Sequence, residues 1–169
     1  MASLKYKYNM DANAERMLVE YTIADAQTLS IGEAVKFSSG ELVTAGAGGA
    51  FLGVIAGFVK ADGSPVTDDG DGGDYSGTYT APTSNTVKAQ VDISDKSVYS
   101  VTANATLGTT TGSDLAGYNM DFVAASNQLN ESTSVTTTAQ VFSLGKDPDA
   151  TAPTNSVLVV MQESELDLK

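Results

Sequence analysis

Residues 31–59 read IGEAVKFSSGELVTAGAGGAFLGVIAGFV. Residues 34–37, Ala-Val-Lys-Phe, have the make-up of a short strand. Ser38-Ser39-Gly40 is a turn, and residues 41–44, Glu-Leu-Val-Thr, return from it. Residues 45–50 are only Gly and Ala, and residues 51–59 form an apolar strand pattern. A hairpin leading into a third strand sets a β fold. No reactive constellation lies in the stretch, and a well-folding chain without one works through its surfaces.

The reading extends outward from there. From residue 26 on, further strands are predicted at 77–80, 86–93, 97–103, 119–124, 134–144 and 156–163. Val87, Ala89, Val91 and Ile93 alternate with Lys88, Gln90 and Asp92, which predicts one buried and one wet face. Residues 135–141 are rich in Thr and Val, as strands prefer. Val157-Leu158-Val159-Val160-Met161 is continuously apolar, the pattern of a strand buried on both faces. Turn signals at Ser39-Gly40, Asp62-Gly63, Thr111-Gly112 and Gly145 recur at short intervals. The expected fold class is all-β: a small β-barrel or β-sandwich of short strands with an extended N-terminal arm. The arm takes residues 1–25 and the β domain 26–169, which a two-subdomain reading divides into 26–80 and 81–169.

In the N-terminal segment, Leu4, Tyr6 and Tyr8 alternate with Lys5 and Lys7, as an extended strand or arm requires. Met17, Leu18 and Tyr21 fall at helical spacing, yet residues 19–23 also alternate as a strand does, so both readings stand. Lys5, Lys7 and Arg16 are three of the chain's nine cations, and Arg16 is its only arginine. An aromatic and basic arm on an acidic body suits contact with a neighbouring subunit. The alternative is an ordinary first strand. Leu4, Lys5, Tyr6, Lys7, Tyr8 and Arg16 are the candidate binding residues.

Composition narrows the function. With 169 residues and 41% apolar content, the chain can bury a core without disulfides or metal. It has no cysteine, which removes thiol nucleophiles and Cys-based zinc sites. It has no histidine, so the usual general base is missing and a Ser-His-Asp triad cannot form. An enzyme is not expected, and no cofactor is implied. The net charge of −12 opposes binding to nucleic acid and to anionic membranes. It suits solubility at high local concentration, and equally a soluble protein from a salty habitat. No apolar stretch follows Lys5 and Lys7, so no secretory signal is expected. The longest apolar run, 50–59, falls well short of the roughly 20 residues of a membrane-spanning helix.

Asp68-Asp69-Gly70-Asp71-Gly72-Gly73-Asp74 is the sharpest local feature. Asp68, Asp69, Asp71 and Asp74 are ligand types for calcium, but the loop misses the EF-hand spacing and the repeat-type calcium motif. The plain reading is a solvated acidic turn. With no tryptophan to form a platform, a sugar-cleaving carboxylate pair is not expected. Gly46, Gly48 and Gly49 lack the Lys-Ser/Thr of a phosphate loop. Residues 147–155, with Pro148 and Pro153, read as an exposed connection. Asn104-Ala105-Thr106 and Asn130-Glu131-Ser132 match the N-glycosylation pattern, as chance allows at this Ser/Thr content.

The stretch 31–59 resembles the opening of tailed-bacteriophage head decoration, or cement, proteins. In these a GEAV…SSG-LV turn-strand pair leads through Gly and Ala to a strand like FLGVIAGFV. Residues 88–93 (KAQVDI), 98–107 (VYSVTANATL), 117–122 (GYNMDF), the Thr-rich 132–140 and the strand pattern at 156–162 follow the same layout. The pieces cover about two thirds of the chain and are turn and strand patterns, not catalytic signatures. The resemblance implies a structural virion protein on the capsid exterior, assembled in the host bacterial cytoplasm. It implies two partners: the major capsid protein, whose neighbouring subunits it cements against internal DNA pressure, and itself, as a homotrimer. An arm of such a protein adds a strand to the capsid surface, here with Leu4, Tyr6 and Tyr8 as anchors. A phage head-fibre or tail adhesin domain, with Tyr75, Tyr79 and Tyr118 in its loops, is the alternative. A calcium-dependent binding module built on 68–74 is the third reading.

Overall fold

The computed structural model describes residues 4–11, 15–45, 51–102, 119–122, 128–130, 139–143 and 156–161. Among these residues the secondary structure is all strand: β1 (Lys5–Asn9), β2 (Leu18–Thr22), β3 (Thr28–Ser30), β4 (Ala34–Ser38), β5 (Glu41–Thr44), β6 (Gly53–Val59), β7 (Thr78–Thr80), β8 (Lys88–Asp92), β9 (Ser97–Thr102), β10 (Asn119–Phe122), β11 (Leu129–Asn130), β12 (Ala139–Ser143) and β13 (Ser156–Met161). The protein is all-β.

The hairpin expected at 34–44 is β4–β5. Ser38 faces Glu41 across a two-residue turn. Ser39 (φ 53°) and Gly40 (φ 87°) both sit in the left-handed region, as a type I′ turn demands. β6 then pairs antiparallel with β4 and places Val54 beside Ala34 and Gly53 beside Val35. Successive side chains leave the sheet on opposite faces. Ala34 and Val54 enter a core with Leu4, Phe51, Tyr99, Val157 and Val159. Val35 and Ile55 enter another with Leu29, Leu42, Tyr79 and Val91. The continuously apolar run of β6 therefore belongs to a sheet covered on both sides.

That central sheet has the order β2-β8-β6-β4-β5. Its two edges approach each other: Ile23 bridges Leu42, and the Ala24 N–H donates to the Leu42 carbonyl at 3.1 Å. One bridge joins the edges, short of a closed barrel. The β3–β7 ribbon covers one face through Leu29 and Tyr79. On the other face lies a six-stranded sheet of order β1-β9-β13-β12-β10-β11. In β13, Val157 and Val159 face the shared core, while Leu158 and Val160 cluster with Val98. The strand is buried on both faces, as its sequence predicts.

The N-terminal segment departs from the arm expectation. β1 pairs antiparallel with β9, and β2 pairs antiparallel with β8. The described part of residues 1–25 is thus built into both sheets. The helical spacing of Met17, Leu18 and Tyr21 yields to strand pairing, because Val19 and Tyr21 sit opposite Val91 and Ala89. The predicted strands at 86–93, 97–103 and 119–124 are β8, β9 and β10. Residues 103–118, 147–155 and the Thr-rich 132–138 lie outside the described residues, as do Tyr118 and the Asn104 sequon.

Candidate functional site

β8 ends where the chain leaves the central sheet for the six-stranded one. Ser94 begins this corner, with its N–H donating to Asp92 Oδ1 at 3.1 Å. Asp92 follows Val91 and so faces the other way, into the core between the sheets. The alternation predicted a wet face for Lys88, Gln90 and Asp92, but Asp92 is only 2% exposed. A two-residue period separates the faces and says nothing about what covers the second.

The burial is offset by donors. Asp92 Oδ2 accepts from Arg16 Nε at 2.9 Å, Ser97 Oγ at 2.8 Å and Tyr99 OH at 2.5 Å. Each donor comes from a different place: the β1–β2 connection, the start of β9 and its middle. Arg16 also lies over the Tyr6 ring, its guanidinium carbon 4.4 Å from the ring centre. Tyr6 meets Tyr99 edge to face at 6.0 Å. One carboxylate thereby ties β1, β8 and β9 together across the two sheets. Burial lifts the Tyr99 hydroxyl well above its ordinary range, and the adjacent Asp92 charge and hydrogen bond add to this. For Arg16, burial pulls the guanidinium down, but the Asp92 hydrogen bond and the surrounding charges outweigh it and the pKa is raised. Both groups keep their ordinary charge state at neutral pH, so the cluster is a fixed structural ion pair.

A cleft of about 190 Å³ opens beside it, with Lys5, Tyr6, Arg16, Gly32, Ala56 and Tyr99 among its walls. Leu4, Gly32 and Ile55, also in its lining, form a backbone junction at the start of the 31–59 stretch. The Leu4 N–H donates to the Gly32 carbonyl at 2.8 Å, and the Gly32 N–H to the Ile55 carbonyl at 2.8 Å. Glu33, 2% exposed, holds the same turn. Its carboxylate accepts from the Ser30 N–H at 2.8 Å and Thr44 Oγ1 at 2.6 Å. Burial raises the Glu33 pKa, against the lowering effect of those hydrogen bonds.

The structure divides the six candidate residues. Leu4 is 3% exposed in the inter-sheet core, so it does not serve as an anchor for a neighbour. Tyr6 is half-buried on that core and Arg16 is held by Asp92. Lys7 is half-buried at the bulge between Tyr6 and Tyr8. Lys5 and Tyr8 are exposed. Asp92, Ser97, Tyr99 and Glu33 were not singled out from sequence. The one available signal for the cluster was the chain's sole arginine, which needed an acidic partner.

In the acidic loop, Asp68 Oδ1 accepts from the Gly70 N–H at 3.1 Å. Asp69 Oδ1 accepts from the N–H groups of Asp71 and Gly73 at 3.0 and 2.7 Å. These two carboxylates cap their own turn. Among the described residues no three acidic side chains converge as metal ligands would. Of the aromatics of the adhesin reading, Tyr79 lies in β7 and is 4% exposed, Tyr75 packs edge to face on Phe58, and Tyr118 lies outside the described residues.

Comparison with family models, with curated proteins and with solved structures finds no match for this chain.

Proposed function

We propose that this protein is a non-enzymatic structural component of a phage virion. It binds the outside of the capsid as a homotrimer and cements neighbouring major capsid subunits against internal DNA pressure. The observation that carries the reading is the β1 edge. β1 is the first strand of its sheet and pairs with β9 alone among the described strands. An edge of this kind accepts a partner's strand, with main-chain hydrogen bonds for affinity and alternate side chains for specificity. Exposed apolar side chains accompany it: Tyr8 and Met10 at its end, and Met17 and Leu18 at the start of β2. The Met10 N–H bonds the Lys96 carbonyl and the Met17 carbonyl accepts from Ile93, which gathers these residues around the β8–β9 corner. The two buried carboxylates among the described residues, Asp92 and Glu33, are both held by structural donors, which also favours a binding protein.

The test is co-sedimentation of the purified protein with capsids that lack it, followed by thermal challenge of the loaded shells. Saturable binding and a raised disruption temperature are expected. Shells that neither bind it nor gain stability refute the proposal.

A further inference from the structure

Thr44 meets a base and an amide at once. Its hydroxyl donates to Glu33 Oε1 at 2.6 Å, and its Oγ1 accepts from Gln27 Nε2 at 3.4 Å. Glu33 is 2% exposed, and its other oxygen accepts from the Ser30 N–H at 2.8 Å, which leaves Oε1 turned to Thr44. A hydroxyl bonded to a carboxylate that a third group orients is the arrangement of an activated nucleophile. Burial raises the Glu33 pKa and makes it the stronger base. The stretch 31–59 supplies this pair but no electrophile; the fold brings one to it by placing Gln27 alongside.

The backbone fixes both partners. Ala26 takes a left-handed conformation (φ 57°), which an alanine adopts only at a cost. Its N–H donates to the Ala81 carbonyl at 2.8 Å, and the Ala81 N–H donates to the Gln27 carbonyl at 2.9 Å. Thr44 pairs with Val35 at the end of β5, and the Ala45 N–H donates to the Ala34 carbonyl at 2.9 Å. Both side chains are half-buried. Rotation about the last bond of the Gln27 side chain, a soft torsion, turns the amide carbon's face to Thr44 Oγ1 without moving either strand.

We propose that Thr44 and Gln27 join in an intramolecular ester. Thr44 Oγ1 bonds to Gln27 Cδ as Glu33 takes the hydroxyl proton. The Cδ–Nε2 bond then breaks, Glu33 returns the proton to Nε2, and ammonia leaves. A hydroxyl and a primary amide become an ester and ammonia, Glu33 ends as it began, and no oxidant or co-reactant is consumed. The event occurs once per molecule, so it is self-processing and not turnover. The link ties the end of edge strand β5 to the start of the β3–β7 ribbon. In a chain without cysteine it gives the covalent closure that a disulfide gives elsewhere, by constraining the unfolded state. It lies away from the β1 edge and stands or falls independently of capsid cementing.

The experiment uses the full chain after incubation at neutral pH. Intact mass spectrometry should give a mass lower than the sequence mass by one ammonia. Trypsin cuts after Arg16, Lys36 and Lys60, and Lys36 lies between the two partners. The linked protein therefore yields residues 17–36 joined to 37–60, and mild alkali should separate them by hydrolysing the ester. Thr44→Val, which replaces the hydroxyl by a methyl group, should keep its full sequence mass. Thr44→Ser restores a hydroxyl and should again lose ammonia, which separates lost chemistry from lost folding at this position. Glu33→Gln, without the base, should release the two peptides unlinked. A wild type at its full sequence mass with separate peptides overturns the proposal. So does a loss of ammonia that survives Thr44→Val or Gln27→Met.

Discussion

At the scale of the residue, two buried carboxylates carry opposite lessons. Asp92 sits among four donors, so removing any one leaves the others serving a buried charge. Breaking a buried pair by deleting one partner costs on the order of 3–5 kcal/mol. For Arg16→Ala the lower end, about 3 kcal/mol, is expected, because a side chain already 26% exposed lets water replace part of it. Urea titration measures this, and a loss under about 1 kcal/mol would mean the pair adds little to the fold. Glu33 works through pH. Its folded-state pKa lies above the ordinary 4.5, with burial the leading cause. Such a group favours the fold most below its unfolded value, and that contribution is lost as pH rises through the folded value. Glu33→Gln does not titrate. The wild type should therefore lose stability relative to Glu33→Gln as pH rises above the ordinary 4.5 and through the raised folded-state value, and parallel stability–pH curves would contradict this.

At the scale of the element, the β4–β5 hairpin shows how local chemistry sets register. Its turn needs two left-handed residues, and Ser39 meets that need less easily than asparagine would. Ser39→Asn should stabilise the protein by about 0.5 kcal/mol, read as a raised urea midpoint at constant slope. An unchanged or lower midpoint would show that the Ser39 side chain contributes something the turn geometry does not. The same elements mark what was legible in the sequence. The hairpin, β6, β8 and β13 were readable because turn residues and unbroken or alternating apolar runs bound them. β3 and β11 were not: Thr28–Ser30 and Leu129–Asn130 are too short to display a period. β2 was ambiguous because helical and strand spacing coincide over 17–23, and only its pairing with β8 decides between them. The Asp92 cluster was invisible because Arg16 stands 76 residues from Asp92, and because the local 92–99 members show no periodic signal that would mark them as converging on one carboxylate. β1 was read correctly as extended, but its destination depended on Tyr99, a residue of a distant strand.

At the scale of the whole molecule, electrostatics opposes the fold while the inter-sheet pair supports it. Twenty-one acidic residues face nine basic ones. At about 0.01 M salt the Debye length is roughly 30 Å, so these charges repel across a body of this size; near 0.15 M it shrinks to about 8 Å. The exposed pairs that salt would weaken are few among the described residues. Lys88–Glu20 at 3.8 Å and Lys96–Asp95 at 3.0 Å are both well exposed and worth little. The Arg16–Asp92 pair is largely shielded from ions because the Asp92 side chain is fully buried. Relief of repulsion should therefore win. Raising NaCl from 0.01 to 0.15 M should stabilise the protein by about 1 kcal/mol, or about 2–4 °C in Tm for a chain of this length. Scanning calorimetry across that range measures it, with a matched sucrose series to separate screening from general solute effects. A Tm that falls with salt would mean that attractive surface pairs outweigh the acidic excess, and that the charge imbalance does not govern how closely copies of this protein approach one another.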